Sequence, residues 1–493
     1  MTVLYKSTQE TEQLVTASQA ILQGMAADGG LFVPAEFPTF DFDFEEWKEL
    51  DYQEVAFRIM HVFLPDFTDQ ELQEAIKNAY DEKFETADIA PVVKKGEQYF
   101  LELFHGPTLA FKDLALSLLP YLMVTAMKKN NIKREIVILT ATSGDTGKAA
   151  MEAFADVPNT KIIVFYPKDG VSKIQEKQML TQKGENTFVV AIEGNFDDAQ
   201  TKVKELLNDQ ELAKEMYARN KQFSSANSIN IGRLVPQIVY YVYAYSQLVK
   251  KGEIQSGEKI DVCVPTGNFG NILAGFYAKK IGLPIDHLIC ASNQNHVLTD
   301  FFQTGNYNKK RPFYVTTSPS MDILVSSNLE RLLFQLSDEN ADQTREWMQQ
   351  LKTKNSFSLP TKMQEKWTDF EAGFATEEET KGAIFQRFKE TGYVIDPHTA
   401  VAVHVAHQFV NDRAQLIVST ASPYKFPKTV VEALTAKKST GNDFVAVDEL
   451  NKITGLAIPQ AVSTLKGATE KEKISFSVSQ MKQVVRQVLE LDK

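Results

Sequence analysis

The chain has 493 residues, of which 43% are hydrophobic and 24% are charged. A chain of this length divides into two or three domains. The formal net charge of −11 disfavours nucleic acid and anionic membranes as partners, so an anionic ligand would need a locally positive pocket. No apolar run approaches the ~20 residues that span a bilayer, and residues 1–6 lack the apolar core of a signal peptide. We expect a cytoplasmic protein.

The first part of the chain differs in texture from the rest. Residues 1–92 are acidic and Phe-rich, with helical spacing of apolar residues in Thr11 to Met25 and Asp69 to Lys83. From about Tyr99 onward, short β-rich runs alternate with helical ones. Strands are predicted at Glu135 to Thr140, Lys161 to Tyr166, Phe188 to Ile192, Ile260 to Pro265 and Gln415 to Thr420. Helices are predicted at Lys148 to Phe154, Ser172 to Leu180, Asp197 to Leu207, Pro236 to Val249, Asn271 to Lys280 and Lys428 to Leu434. This alternation is typical of an α/β fold with parallel, helix-covered sheets.

Several features are assigned no chemistry. The charged stretch from about Ser337 to Glu379 has no strand pattern and is predicted to be a helical insertion. Cys263 and Cys290 lie in apolar strand-like runs, which favours small buried hydrophobic residues over a disulfide or a nucleophile. His105 and His398 are interpreted as structural histidines. No set of His, Cys, Asp and Glu residues has metal-ligand spacing, so no metal is predicted.

Lys112 is the candidate catalytic residue. It follows the turn-like Gly106-Pro107 and precedes the apolar run Leu114 to Val124, which predicts a buried helix. A lysine at the entrance of such a helix is partly desolvated, and desolvation lowers the pKa of an amine. A neutral amine is what Schiff-base chemistry requires. Because most lysines are solvated surface charges, this signal needs support from other segments.

A glycine-containing loop follows one predicted strand directly and opens a helix. Its residues are Gly267, Asn268, Phe269, Gly270 and Asn271. Such a loop presents backbone N–H groups and a positive helix end to an anion, and glycine lets the backbone approach a phosphate closely. A simple strand-to-helix turn is the alternative when the loop is considered alone.

Three other polar segments could bind anions. Thr142 to Lys148 has Thr142 and Ala149 where a nucleotide P-loop needs Gly and a hydroxyl, so it fits a carboxylate or phosphate better. Asn227 to Arg233 combines amide and hydroxyl donors with an arginine suited to bidentate phosphate contact, although a solvated helix cap is equally compatible. Thr420 ends a strand at the edge where open α/β sheets bind ligands, with helix capping as the alternative.

Taken together and in this order, these segments resemble the threonine synthase family of pyridoxal-phosphate enzymes. The matching segments are Ala27 to Pro34, His105 to Asp113, Thr142 to Gly147, Gly267 to Asn271, Ser318 to Ile323, Ser327 to Arg331, Asp396 to Ala402 and Ser419 to Ala421. The N-terminal unit and Ser327 to Arg331 are similar to the longer, yeast- and enterobacterial-like branch.

The resemblance implies two parallel-sheet domains with helices on both faces around a pyridoxal-phosphate cleft, plus a mainly helical N-terminal domain. We expect an N-terminal domain at 1–92 and a small α/β domain at 133–259. The large cofactor-binding domain would comprise 93–132 and 260–450, with the insertion at about 337–379. Residues 451–493 form a C-terminal segment.

The resemblance also implies residue roles. Lys112 would form the internal aldimine with pyridoxal 5′-phosphate and later act as general acid and base. The loop Gly267 to Asn271 would bind the cofactor phosphate, and Thr420 would face the pyridine nitrogen and leave it largely unprotonated. Substrate binding is expected from Ser143, Thr146, Asn227, Ser228 and Arg233.

Asp145 departs from the pattern of the shorter branch. Relatives in that branch carry Asn at this position, and that Asn contacts the 3′-oxygen of the cofactor. An ionised Asp cannot donate such a hydrogen bond, so the sequence leaves the role of Asp145 open.

The implied reaction is conversion of O-phospho-L-homoserine and water to L-threonine and phosphate, with the cofactor as electron sink. A related pyridoxal-phosphate lyase, either a dehydratase or a phospho-lyase giving 2-oxobutanoate, is the alternative. A non-enzymatic binding protein on the same scaffold is a further one. The expected partner is a small-molecule substrate, with neither nucleic acid nor membrane, and the expected assembly is a monomer or a homodimer.

Overall fold

The computed structural model describes residues 3–142, 144–168, 170–171, 173–439 and 441–492. The strands are β1 Tyr5–Ser7, β2 Phe32–Pro34, β3 Val92–Lys95, β4 Gln98–Glu102, β5 Glu135–Ala141, β6 Thr160–Pro167, β7 Thr187–Glu193, β8 Lys221–Ser224, β9 Ile260–Pro265, β10 Ile285–Ser292, β11 Asn306–Asn308, β12 Ser356–Ser358, β13 Phe370–Phe374, β14 Gln415–Ser419 and β15 Ser475–Ser477.

The helices begin and end at the following residues: α1 Ala17–Gln23, α2 Phe44–Trp47, α3 Tyr52–Phe63, α4 Asp69–Ala79, α5 Lys112–Leu116, α6 Leu119–Lys129, α7 Asp145–Phe154, α8 Lys173–Leu180, α9 Phe196–Leu207, α10 Gln210–Ala218, α11 Ile231–Lys250, α12 Gly270–Lys280, α13 Val297–Thr304, α14 Leu329–Leu336, α15 Ala341–Lys354, α16 Thr361–Gln364, α17 Glu377–Thr391, α18 Pro397–Ala406, α19 Pro427–Thr435, α20 Asp443–Thr454, α21 Gln460–Ser463 and α22 Met481–Val488. In the described ranges, no helix is long and apolar enough to cross a membrane.

Two largely parallel sheets organise the chain. The larger has the strand order β13-β10-β9-β14-β4-β3, and only its β3–β4 edge pair is antiparallel among the described residues. The smaller has the order β15-β7-β6-β5-β8, and its described pairs are all parallel. The predicted α/β class is confirmed, and the predicted strands in this region are present. The non-consecutive strand orders require helical crossovers, which is why helices cover the sheets.

The parallel arrangement brings three loops to the carboxyl ends of strands. β9 leads into the loop Gly267–Asn271, β14 ends just before Thr420, and β5 leads through Thr142 into α7. Ligands of open α/β sheets bind at such strand ends because the loops and helix N-termini gather there.

The helical prediction for residues 337–379 needs correction. The stretch contains α15 and α16, but also β12 and β13, and β13 extends the large sheet by pairing in parallel with β10. β12 pairs with β11 in a separate two-stranded sheet. These strands are three and five residues long, so their period-2 pattern is too short to stand out in a polar stretch.

Two helix predictions differ from the structure for identifiable reasons. The run Leu114 to Val124 is split between α5 and α6, because Pro120 has no N–H to continue the hydrogen-bond ladder. The long helix α11 begins at Ile231 and not at Pro236, because the side chain of Asn230 accepts a hydrogen bond from the Gly232 N–H, 2.8 Å away, and caps the earlier turn.

Both ends of the chain pack onto these sheets. In the N-terminal part, β1 and β2 form an antiparallel pair. Phe44 and Tyr52 of the helices that follow contact Tyr245 and Tyr243 of α11, which is buried along almost its whole length. At the C-terminal end, β15 adds to the edge of the small sheet beside β7, and α22 packs into the core of that sheet.

Arg331 joins the N-terminal part to the strand-end loops. Its side chain is fully buried. Nε donates to the carbonyl of Phe32 at 2.9 Å, Nη2 donates to the carbonyl of Ile229 at 2.6 Å, and Nη1 donates to Oδ1 of Asn328. One side chain therefore fixes three segments that are distant in sequence.

We predict that Arg331→Met lowers the free energy of unfolding by about 2–5 kcal/mol, because it leaves buried carbonyls without a charged donor. Thermal and urea unfolding measure the effect. Arg219→Met is the control, since Arg219 is exposed and makes one long bond of 3.4 Å to the carbonyl of Glu490. Equal stability of the two variants would contradict the structural role assigned to Arg331.

Candidate active site

Lys112 lies at the start of α5 with its side chain largely buried. Its Nζ donates to Oγ of Ser320 at 3.3 Å and lies 3.7 Å from Oδ2 of Asp145. Burial lowers the pKa of Lys112, and the charges of Lys425 and Arg233 lower it further, whereas Asp145 and Asp113 oppose the shift. The amine is thus held in the environment that favours its neutral, nucleophilic form.

The segment before Lys112 is tied to the end of β14. Ala110 forms an antiparallel bridge with Ala421, the Phe111 N–H donates to the carbonyl of Thr420 at 2.9 Å, and the Ser422 N–H donates to the carbonyl of Leu109 at 3.0 Å. These backbone bonds place Thr420 beside the entrance of α5. The threonine itself is buried at the strand end.

The loop Gly267–Asn271 connects β9 to α12, and Phe269 takes a left-handed conformation with φ of 64° to start the helix. A Cβ at Gly267 would lie 2.6 Å from the carbonyl oxygen of Ser320, so only glycine fits there. The amide Oδ1 of Asn271 accepts from the hydroxyls of Tyr240 and Tyr241 at 2.7 and 2.6 Å. Its Nδ2 is buried and has no partner among the described residues.

A turn from the segment Ser326–Arg331 holds this loop from behind. Oγ of Ser326 donates to the carbonyl of Gly267 at 2.7 Å. Nδ2 of Asn328 donates both to the carbonyl of Asn268 at 2.9 Å and to the carbonyl of Ser228 at 3.3 Å. Asn328 therefore links the glycine loop to the segment Asn227–Arg233.

The loop between β5 and α7 is organised by Thr142, whose Oγ1 accepts from the N–H groups of Gly144 and Gly147, each at 2.9 Å. This arrangement exposes the first turn of α7 to the cleft, beginning with Asp145. Burial alone would raise the pKa of the Asp145 carboxyl, but Lys425 and Lys112 hold it well below its usual range.

Arg233 is a buried cation that forms no ion pair with a carboxylate in the part of the chain that the structure describes. It is 3% exposed, Nη1 donates to the carbonyl of Ala226 at 3.0 Å, and Nε has no partner among the described residues. Burial lowers the pKa of Arg233 to about 10, so it stays charged at neutral pH. A buried, unpaired guanidinium is costly unless an anion binds beside it.

The sequence-predicted residues fall into three groups. Lys112, Arg233 and Asp145 lie in one electrostatic environment, because the charges of Arg233 and Asp145 both shift the pKa of Lys112. Thr146, Asn227 and Ser228 are half-buried, and they lie on the segments that begin α7 and precede α11. Ser143 lies outside the described residues.

Sequence reasoning missed four residues that shape the site: Lys425, Ser320, Asn328 and Gln175. Lys425 places Nζ 2.8 Å from Oδ1 of Asp145, and Gln175 donates to the same oxygen at 2.9 Å. All four reach the site from segments distant in sequence, so local patterns carry no signal for them. The nearest signal was the family-like character of Ser318–Ile323 and Ser327–Arg331, which came without roles.

His105 and His398, the two histidines interpreted as structural from the sequence, both contact carboxylate groups. Nδ1 of His398 lies 2.6 Å from Oδ2 of Asp396, and its Nε2 accepts from the Ser320 N–H at 3.2 Å. Burial would lower the pKa of His105, but hydrogen bonds with Glu102 and Glu85 raise it to about 9. His398 thus supports the Ser320 segment next to Lys112.

The remaining candidates for chemistry lie elsewhere. Cys263 and Cys290 are buried in β9 and β10, as expected for small hydrophobic residues. Asp261, Asp286 and His287 cluster closely enough to suggest a cation site. The guanidinium of Arg413 lies 3.1 Å from both carboxylates, so this cluster is already neutralised by an ion-pair network.

The donor set fits pyridoxal 5′-phosphate. The amine of Lys112 suits an aldehyde, and the N-terminus of α12, with the Nδ2 of Asn271 that has no partner among the described residues, suits a phosphate. The glycine at 267 keeps that loop clear of side-chain bulk.

Comparisons with known proteins agree with this geometry. The family described as Threonine synthase N terminus matches residues 4–80, Pyridoxal-phosphate dependent enzyme matches 94–420, and Threonine synthase, C-terminal matches 399–475. Human Threonine synthase-like 1 is 40% identical over 489 residues, which cover 95% of this chain and 65% of the relative. The chain therefore spans slightly less than two thirds of that protein.

Two threonine synthases match over nearly their full length. The enzyme of Saccharomyces cerevisiae is 35% identical over 512 residues, covering 95% of this chain and 98% of the relative. The crystal structure of the PLP-bound threonine synthase from Brucella melitensis superposes with a TM-score of 0.88 at 34% identity, covering 100% of both chains. The chain belongs to the threonine synthase family of pyridoxal-phosphate-dependent enzymes.

Proposed function

We propose that the protein converts O-phospho-L-homoserine and water to L-threonine and phosphate. The observation that carries the proposal is Arg233, a buried guanidinium with no carboxylate partner among residues 3–142, 144–168, 170–171, 173–439 and 441–492, whose charge helps to lower the pKa of Lys112. A site with a nucleophilic amine and a separate unpaired cation suits a substrate that bears both an amino group and a phosphate.

Pyridoxal 5′-phosphate, held by Lys112 and the loop Gly267–Asn271, would supply an electron sink for charge developing on the substrate carbons. Thr420 would face its ring nitrogen with a neutral hydroxyl. The amine of Lys112 would take a proton from the α-carbon of the substrate and return protons to neighbouring carbons. Burial lowers the pKa of Lys112, which favours both roles.

Arg233 would bind the phosphate of the substrate. Thr146, Asn227 and Ser228, together with Ser143, would bind the other polar groups of the substrate. Arg233 is the third residue of a helix capped by Asn230, and its N–H donates to the carbonyl of Asn230 at 2.9 Å, so its backbone is held by the first turn. A fixed phosphate position limits how the substrate can react, which would favour water addition over simple elimination.

Product analysis tests the proposal. The purified protein with its cofactor, given O-phospho-L-homoserine, should release L-threonine and phosphate in equal amounts. Release of 2-oxobutanoate in place of threonine would identify a related lyase, and tight substrate binding without any product would identify a binding protein.

We also propose a cytoplasmic location, a monomeric or homodimeric assembly, and a division into the N-terminal, large and small domains set out above. The two free cysteines are compatible with a reducing compartment, and the two separate sheets support the division into a large and a small domain.

Lys112→Ala should abolish the cofactor's visible absorption band and turnover while the fold persists. The reason is that Lys112 makes one 3.3 Å bond at the cleft side of α5 and is not part of the apolar core. Absorption spectra, circular dichroism and phosphate release measure the three properties. Lys128→Ala, an exposed change on α6, is the control. A retained band would show that another lysine holds the cofactor.

Thr420→Val should reduce turnover while the cofactor remains bound. The substitution nearly preserves shape and removes one hydroxyl, at a cost of roughly 0.5–1.5 kcal/mol for the lost hydrogen bond. The measurements are kcat and the dissociation constant of the cofactor, with Thr429→Val in α19 as the control. Unchanged kinetics in Thr420→Val would remove Thr420 from the site.

Arg233→Ala should leave the cofactor's spectrum intact but weaken O-phospho-L-homoserine binding by about 1.5–3 kcal/mol, the range for a charged hydrogen bond. Arg233→Lys should recover part of the loss, because it keeps the charge without the planar fork. Titration of the cofactor band with substrate measures both variants against Arg219→Ala. Weaker cofactor binding with unchanged substrate binding would assign Arg233 to the cofactor phosphate.

A further inference from the structure

We propose that Lys425 is a positioning residue of the active site: its ammonium group engages the carboxylate of Asp145 and thereby keeps Lys112 out of a full ion pair. The inference rests on the proposed function, in which the amine of Lys112 must be available to react with the cofactor.

Lys425 reaches the site from the turn that follows β14. It ends the 3₁₀ turn Pro423–Lys425, and it is 1% exposed. Its Nζ lies 2.8 Å from Oδ1 of Asp145 and donates to the carbonyl of Thr108 at 2.7 Å. The side chain thus joins the segment before Lys112 to Asp145, the first residue of α7. Helix α7 follows β5 of the small sheet.

Asp145 lies between two lysines but is not shared equally. The distance to Lys425 is 2.8 Å, whereas Lys112 lies 3.7 Å away on the other carboxylate oxygen. That second oxygen also accepts from Oγ of Ser320 at 3.2 Å, and the first accepts from Gln175 at 2.9 Å. Lys425 makes the short charged contact, and Lys112 makes only a long one.

Among the described residues, no other charged group near Lys112 makes the short ionic contact with Asp145 that Lys425 makes. Arg233, from α11, lowers the pKa of Lys112 as Lys425 does, and Asp113, on α5, raises it. Burial raises the pKa of Asp113 to about 6, against its hydrogen bonds with Thr108. Across the site, His398 contacts the backbone of Ser320 and not the amine.

Removal of Lys425 would raise the pKa of Lys112 in two ways. A positive charge that opposes protonation of the amine would be lost, and the Asp145 carboxylate would be free to pair with Lys112. An opposite charge in close contact raises the pKa of an amine by about 1–3 units. Lys112 would then persist as an ammonium group, which cannot attack an aldehyde.

The test compares Lys425→Met, Asp145→Asn and the double variant, after removal of the cofactor from the purified proteins. The rate at which added pyridoxal 5′-phosphate restores the absorption band is measured against pH. Lys425→Met should shift the half-maximal rate upward by about one pH unit or more. Asp145→Asn should shift it downward, because the carboxylate that favours the ammonium form is gone. The double variant should return towards the wild type.

Thermal unfolding in parallel separates this role from a purely structural one. A stability loss in Lys425→Met with an unshifted pH midpoint would overturn the proposal, as would a double variant no closer to wild type than Lys425→Met. If Lys425→Met does not fold, Lys425→Arg and Asp145→Asn decide. A wild-type midpoint in the first and a lowered one in the second support the proposal, and any other pair of results overturns it.

Failure of the proposed function would look different. If Lys112→Ala still acquired the band, or if the wild-type protein acquired none, the assignment of Lys112 would be wrong. The inference about Lys425 is then judged wrong with it, whereas unshifted midpoints in a protein that binds the cofactor through Lys112 overturn the inference alone.

Discussion

The burial of Lys112 and Lys425 beside the carboxylate of Asp145, with the buried guanidinium of Arg233 close enough to lower the pKa of Lys112, is the constraint on which the rest of the site depends. Removing charges from water is expensive, so buried charges need partners. The carboxylate of Asp145 is the anionic partner of Lys425 and, at a longer distance, of Lys112. Among the described residues, the guanidinium of Arg233 donates only to the backbone carbonyl of Ala226. In a chain of net charge −11, the site brings two buried cations, Lys425 and Arg233, close to Lys112. The surplus positive charge is what suits it to phosphate-bearing ligands.

The backbone makes this concentration possible. Parallel strands end at one edge of each sheet, so loops from residues far apart in sequence meet there. The bridge between Ala110 and Ala421 fixes the lysine segment against the end of β14, and Asn328 joins the glycine loop to the segment before α11. Close approach is needed at Gly267, where a side chain would strike the carbonyl of Ser320. The loops are therefore rigid before any ligand binds.

Those parts of the site that lie in continuous motifs could be predicted from the sequence. Local patterns indicate Lys112 before a buried helix and the loop Gly267–Asn271 after a buried strand. The alternation of predicted strands and helices indicates the parallel α/β fold. Lys425 could not be found in this way, because its partner Asp145 lies 280 residues earlier and only the fold joins them. The sequence also did not reveal that β13 and β15 extend the sheets, because they are only five and three residues long and their pairing partners β10 and β7 are distant in sequence.

Arg233 and Arg331 show how similar side chains serve different ends. Both are buried arginines without a salt-bridge partner among the described residues. Each of the three nitrogens of Arg331 donates a hydrogen bond, two of them to carbonyls and one to an amide oxygen, so none is left without a partner in the fold. Arg233 leaves Nε without a partner. A desolvated donor of this kind costs stability in the free protein, and an anion that binds beside it recovers that free energy. The donor of Arg233 that has no partner, more than its charge, is therefore the reason to propose it as a binding residue while Arg331 is assigned a structural role.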